Sequence, residues 1–209
     1  MPNPGLRFRL ARPDDAHAVA VLHTDSWQRH YRGAFSDAFL DAEAPEFLDR
    51  RWTERLSAPS PQACTILAED DGMIVGLAHT LLDDDPVWGA LIDNLHVRYT
   101  LKRQGVGSRL LALTAQTVFR RSSSWSLYLW VLEQNSAAQA FYSARGGKCV
   151  ESHDVSPPGG DPAQLDGRPR GLRFAWRDAP PCSCGELHPG DVTCRFSDTI
   201  EGYEETGAR

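Results

Sequence analysis

The residues best suited to do chemistry fall in one stretch: Ile92-Asp93-Asn94-Leu95-His96-Val97, followed by Lys102-Arg103-Gln104-Gly105-Val106-Gly107-Ser108. The first part reads as a strand and the second opens a strongly helical run, so a Gly-rich turn leads from a strand into a helix. Backbone N–H groups in the first helical turn have no internal partner, and with the helix dipole they attract phosphate oxygens. Gly105 and Gly107 carry no side chain to block that approach. The stretch is expected to bind a pyrophosphate. Better-known signatures do not fit: the dinucleotide fingerprint needs a third Gly where Leu110 stands, and no Walker loop, Gly-x-Ser-x-Gly elbow or His-Glu-x-x-His helix occurs.

A second constellation lies downstream, with Asn135 placed to cap a helix and Ala138, Phe141, Tyr142 and Gly146 following it. Together the two stretches resemble the GNAT superfamily of N-acetyltransferases. Its patterns are Arg/Gln-x-x-Gly-x-Gly/Ala after a strand ending in Leu-x-Val, and Asn-x-x-Ala-x-x-Phe-Tyr-x-x-x-Gly. Lys102 stands where the family has Arg or Gln, which keeps the charge but not the bidentate geometry. Gly147 replaces the usual Phe after the second motif's Gly, which implies looser packing there. The resemblance covers roughly residues 6–178, is strongest over 92–147 and leaves the tail outside.

The resemblance implies acetyl-CoA as cosubstrate, held by the turn Lys102, Arg103, Gln104, Gly105, Val106, Gly107 and Ser108, by backbone groups of Leu95, His96 and Val97, and by Asn135. It implies that Tyr142 protonates the departing thiolate or holds the sulfur. A base on the fourth strand is expected to share the parity of Leu95 and Val97, because alternate side chains share a face. Asp93 has that parity, Leu91 is apolar, and His96 has the opposite parity and is the second choice. Trp27 and Tyr31, with His30 nearby, match an aromatic run that lines the acceptor pocket in several small-molecule members, and His79 on the third strand either faces the same pocket, as a substrate-binding residue, or packs. Asp83-Asp84-Asp85 either borders the cleft or forms a solvated turn.

Positioning these groups requires a scaffold of strands and helices. Leu6–Leu10 reads as a strand, and Arg12-Pro13-Asp14-Asp15 as the turn before a helix. Residues 36–56 read as two short helices interrupted by Pro45. Strands are expected at 64–68, 74–82 and 90–97, a helix at 104–119, a strand at 126–131, a helix at 135–145, and a last strand pair at 148–155 and 172–177. The Pro- and Gly-rich loop 156–170 between that pair is either a lid or mobile. The fold expected is a mixed α/β (α+β) one, a mostly antiparallel central sheet flanked by helices. The resemblance adds a splay between the fourth and fifth strands. Residues 1–179 form the catalytic domain, and 180–209 an acidic tail containing Cys and His.

Composition bounds the remaining choices. The 209 residues carry a formal charge of −6, with most of the acidic excess after Pro180, so nucleic acid is not an expected partner. No apolar run is long enough for a membrane span, and the first residues lack the features of a signal peptide, so a cytoplasmic protein is expected. Of the five cysteines, Cys64 and Cys149 sit in strand-like runs where a thiol packs as a small hydrophobe. No metal is expected in the catalytic domain, while Cys182, Cys184, His188 and Cys194 could gather one zinc ion in the tail. The leading reading is transfer of an acetyl group to a primary amine of a small molecule or peptide through a ternary complex. The alternatives are a non-catalytic sensor of CoA thioesters, or a partner-binding protein working through its tail. Homodimers are common in the family, but nothing in this sequence signals one.

Overall fold

The computed structural model describes residues 5–177. Seven strands form one sheet in the order β1-β2-β3-β4-β5-β7-β6: β1 Leu6–Leu10, β2 Ala63–Asp70, β3 Met73–Asp85, β4 Gly89–Val97, β5 Leu127–Leu132, β6 Lys148–Asp154 and β7 Arg170–Trp176. Only β4 and β5 run parallel; every other neighbouring pair is antiparallel. The expected strands are all present: β2, β3, β4 and β7 are longer than expected, β1 has the expected bounds, β5 is shifted by one residue, and β6 ends one residue earlier.

The helices are α1 Ala16–His30, α2 Ala44–Ser57, α3 Val106–Arg121 and α4 Ser136–Ser143. Period-two alternation on the central strands sorts the core into two layers. Leu67 and Leu77 point to α1 and α2, where they meet Val19, Leu48 and Trp52, while Ile66, Val75 and Ala78 point to α3 and meet Val106, Leu110 and Leu113. Cys64 belongs to the α3 layer, and its burial raises the thiol pKa, so it is a core thiol as expected. Cys149 is exposed, because β6 is an edge strand exposed along its whole length; a packed position was expected for it.

Pro45 does not break the chain into two helices. A π-helical turn, Phe39–Glu43, runs directly into α2, with the Ala44 N–H reaching back to Phe39 O. The wider turn lets Pro45 occupy the first turn of α2, where a missing N–H costs nothing. The loop between β6 and β7 is tied down: Ser36 N–H donates to Gln164 O at 2.9 Å, and Asp166 N–H to Ala34 O at 2.9 Å. Asp83, Asp84 and Asp85 close the end of the β3–β4 hairpin, accepting from Ser123, from the Tyr128 hydroxyl and from Val87 and Trp88 N–H. Among the described residues, no helix is long and apolar enough to cross a membrane. Residues 180–209, with the four candidate zinc ligands, lie outside the described residues.

Candidate active site

The parallel pair β4–β5 is joined only through Ala90–Leu127 and Leu91–Tyr128. Beyond Leu91 the strands part, so from Ile92 to Val97 the β5-facing edge of β4 has no strand partner. This is the expected splay, and it leaves backbone N–H and C=O groups available to a ligand. On the α3 side of the opening lies the glycine turn. Gly105 has φ +86°, the left-handed region that glycine enters without penalty, and the first helical bond runs from Arg109 N–H to Gly105 O. The N–H groups of Val106, Gly107 and Ser108 therefore precede the ladder. A Cβ on Gly107 would lie 3.4 Å from the Phe141 ring and 3.6 Å from Val97 Cγ2, so its backbone is held close to both motifs.

Not every cation of the turn faces it. Lys102 Nζ lies 2.9 Å from His30 Nε2 and 4.9 Å from the centre of the Tyr99 ring, which ties it to the end of α1. A guanidinium at the α3 N-terminus comes from Arg145, which donates from Nε to Ser108 Oγ at 3.0 Å and stacks over Phe141 at 3.9 Å. Sequence reading missed Arg145 because it lies within the second motif at a position that the motif leaves open. Arg103, also at positive φ, and Gln104 are exposed, and Gln104 donates to Thr100 O. Asn135 caps α4, accepting from Ala138 N–H at 3.2 Å. Gly147 does not loosen the packing: a Cβ there would meet the Trp176 ring at 2.7 Å, and the indole N–H donates to Arg145 O.

On the α1–α2 side lies a cavity of about 110 Å³, lined by His23, Trp27, Tyr31, Leu48, Arg51, Asp93, Asn94 and Pro158. Trp27 and Tyr31 stack at 5.5 Å, as lining residues with the expected aromatic character. The expected parity is overturned at Asp93. Ile92 pairs with Thr80 and Asn94 with His79, so Asp93 is the extra residue of a β-bulge. The bulge turns Asp93 and Asn94 both toward the cavity, while Leu95 and Val97 pack on the α3 side. His96 consequently shares the side of Asp93, its ring 4.4 Å from that of His23 and its Nδ1 2.8 Å from Ser26 Oγ. His79 is not a lining residue. It is buried behind the cavity, edge-on to Trp52 at 5.5 Å, with Nδ1 2.7 Å from Thr65 Oγ1.

The electrostatics follow from burial and a few charges. Asp93 Oδ2 accepts from Arg55 Nη2 at 2.6 Å and from Asn94 Nδ2 at 2.7 Å. Removal from water pushes His96 down to about 4, helped by the nearby His30 and opposed by Asp93, and pushes His79 down to about 4, helped by Arg55. Both imidazoles are therefore neutral at neutral pH. Tyr31 is pushed up to about 12 by burial and the Asp93 charge. Burial, then the neighbouring Tyr31, raises Tyr142 far above the ordinary phenol range. Tyr31 packs with the α1–α2 layer and Tyr142 with the layer on the other side of the sheet.

A glycine turn at a helix N-terminus, a strand edge freed by the splay and an acceptor-sized cavity beyond it define an acyltransferase working with a CoA thioester. The chain belongs to the Acetyltransferase (GNAT) family, whose profile it matches over residues 24–146. It is an N-acetyltransferase with acetyl-CoA as its cosubstrate. It is 28% identical to a probable N-acetyltransferase of Mycobacterium tuberculosis over 143 residues, which cover 67% of this chain and 78% of that protein. An uncharacterized N-acetyltransferase of Bacillus subtilis is 25% identical over 138 residues, covering 65% and 76%. The fold is similar to that of the PaiA N-acetyltransferase of Thermoplasma acidophilum, solved in complex with coenzyme A. There the TM-score is 0.64 at 15% identity, with 82% of this chain and 98% of that one covered.

Proposed function

We propose that this enzyme acetylates the primary amine of a small molecule or peptide in a ternary complex, the thioester and the amine approaching from opposite sides of the β4–β5 opening. The observation that carries the reading is the arrangement itself: the glycine turn and Arg145 on one side of the opening and the cavity containing Asp93 and Tyr31 on the other. The site's residues fit a CoA thioester, since three N–H groups precede the α3 ladder and a guanidinium lies beside them. When bound, that thioester supplies the activated acetyl group.

The chain's residues divide the remaining work. Backbone N–H groups of Ser108, Gly107 and Val106 bind the diphosphate, with Arg145 adding charge and Arg103 and Gln104 bordering the turn. Lys102, tied to His30, steadies the turn from the α1 side. The freed edge of β4 at Leu95, His96 and Val97 orients the pantetheine arm and polarises the acetyl carbonyl. Asn135 fixes the start of α4 and thereby the position of Tyr142.

Asp93 takes the proton from the amine, directly or through one water. Its Oδ2 is held by Arg55 and Asn94, which fixes the carboxylate and leaves Oδ1 for the acceptor. His96 is a poor base because its neutral form binds a proton only near pH 4, and its Nδ1 is already engaged by Ser26. Tyr142 keeps its proton at neutral pH and delivers it to the departing thiolate. Trp27 and Tyr31 form the cavity's aromatic wall. The test is free-thiol release from acetyl-CoA across a panel of amines, alongside Asp93→Asn and Tyr142→Phe. Amine-dependent release that both variants cut is the expected result. Release equally fast without an amine would refute the reading.

A further inference from the structure

The chemistry of the acceptor can be narrowed, on the reading that the cavity beside Asp93 receives it. Two lining residues, His23 and Arg51, carry donors for which the protein supplies no partner. The Trp52 indole N–H donates to His23 Nδ1 at 3.0 Å. An indole nitrogen only donates, so the neutral imidazole must carry its own proton on Nε2. That Nε2 is buried and unpartnered, on a residue 3% exposed that lines the cavity. Arg51 lines the same cavity, its guanidinium 5.9 Å from the centre of the Phe47 ring and in no ion pair among the described residues. Removal from water and the adjacent Arg55 both disfavour its charge, offset only in part by Asp93 and Glu54. Behind them, Arg55 spends Nη2 on Asp93 while its Nη1 is buried without a partner.

Asp93 Oδ2 is taken by Arg55, which leaves Arg51, whose charge Asp93 and Glu54 offset only in part, without an ion pair of its own, and the histidines His23, His79 and His96 are held neutral by removal from water. An anionic oxygen meets the Arg51 guanidinium, and the wall it enters also holds His23, whose buried Nε2–H has no partner; both are donor types that bind carboxylates through short, charge-assisted hydrogen bonds. The size agrees: about 110 Å³ is several times the roughly 10–15 Å³ that one water needs on the same measure, yet small for anything but a compact molecule.

We propose that the acceptor is a small amine that also carries a carboxylate, of amino-acid type, with the carboxylate bound by Arg51 and the His23 Nε2–H and the amine lying toward Asp93 and Asn94. The experiment measures acetyl-CoA-dependent thiol release for free amino acids, each beside its carboxamide and its decarboxylated amine, with a polyamine and an aminoglycoside in the same panel. Expected is at least one amino acid whose kcat/KM exceeds that of its carboxamide about 100-fold. Arg51→Gln should shrink that ratio to within about tenfold by raising the acceptor's KM. Arg51→Lys should restore part of it, and the KM for acetyl-CoA should stay unchanged in both. Preference for a carboxamide, a polyamine or an aminoglycoside overturns the proposal. So does a preference that survives Arg51→Gln, or turnover of no carboxylate-bearing amine at all. In each of those cases calorimetry still registers acetyl-CoA binding, and the enzymatic reading stands. Absence of that heat, with no thiol release from any amine, removes the reading of the site and this proposal together.

Discussion

The Trp52 indole N–H donates to His23 Nδ1 across the buried contact between α2 and α1, at 3.0 Å. One bond thus sets which nitrogen of a cavity-lining imidazole carries the proton, and it links the cavity wall to the core that holds it.

Trp52→Phe keeps an aromatic ring in that core but removes the donor. His23 Nδ1 is left buried without its partner, and the ring is free to take the other tautomer. The expected cost is about 1–3 kcal/mol of unfolding free energy, read from denaturant titration. The acceptor's KM should rise while the KM for acetyl-CoA holds. Nitrogen chemical shifts of His23 should report a mixture of tautomers instead of a single one.

Two buried histidines, His23 and His79, and the half-buried His96 make stability fall toward acid. His79 and His96 are depressed to about 4 by removal from water, and His23 is depressed well below its ordinary value. The unfolded chain binds protons near pH 6.5 whereas the folded one does not until about 4, so the unfolded state holds more protons in between. The stability is complete above about pH 6.5 and is lost as pH falls from there toward 4. The slope approaches about 1.4 kcal/mol per pH unit for each histidine involved. Unfolding by urea at a series of pH values checks this. His79→Gln or His96→Gln should flatten the curve.

How legible this was in the sequence differs between the two sides of the sheet. The coenzyme side could be read, because its parts are local: glycines at fixed offsets from a helix start, Asn135 three residues before the N–H that it caps, and Phe141 beside Tyr142. The acceptor side could not. The β-bulge at Asp93 inserts one residue into an alternating pattern, and a parity argument counted back from Leu95 and Val97 then assigns Asp93 to the wrong face. Arg55 meets Asp93 from 38 residues away and Trp52 meets His23 from 29, so neither pairing has a local spacing to reveal it. Pro45 read as a break because the sequence carries no sign of the π turn that absorbs it.

The glycine turn makes a second test possible. At φ +86°, Gly105→Ala forces an L side chain into the left-handed region, at a cost of about 1–2 kcal/mol. Nothing lies within 4 Å of the added Cβ, so the penalty is backbone strain and not a clash. Arg145→Ala leaves the backbone alone but takes away the guanidinium that reaches Ser108. Acetyl-CoA affinity by calorimetry should fall about tenfold for Arg145→Ala, more at low salt than at high. Lys102→Ala should fall less, because its ammonium faces His30.

Tyr142→Phe separates the role of one oxygen from that of the ring. The ring packs against Phe141, Phe174 and Trp176, and phenylalanine keeps those contacts, so stability should change by less than about 1 kcal/mol. If the hydroxyl gives its proton to the thiolate, kcat should drop by about 10²- to 10⁴-fold while the affinity for acetyl-CoA stays within twofold. The pH profile supplies the independent readout. Burial and the neighbouring Tyr31 hold the proton on Tyr142 to well above the ordinary phenol value near 10, so the wild-type rate should show no alkaline loss from this group up to about pH 10. A rate unchanged by the substitution would take the proton-donor role away from Tyr142 and leave the ring as a wall of the opening.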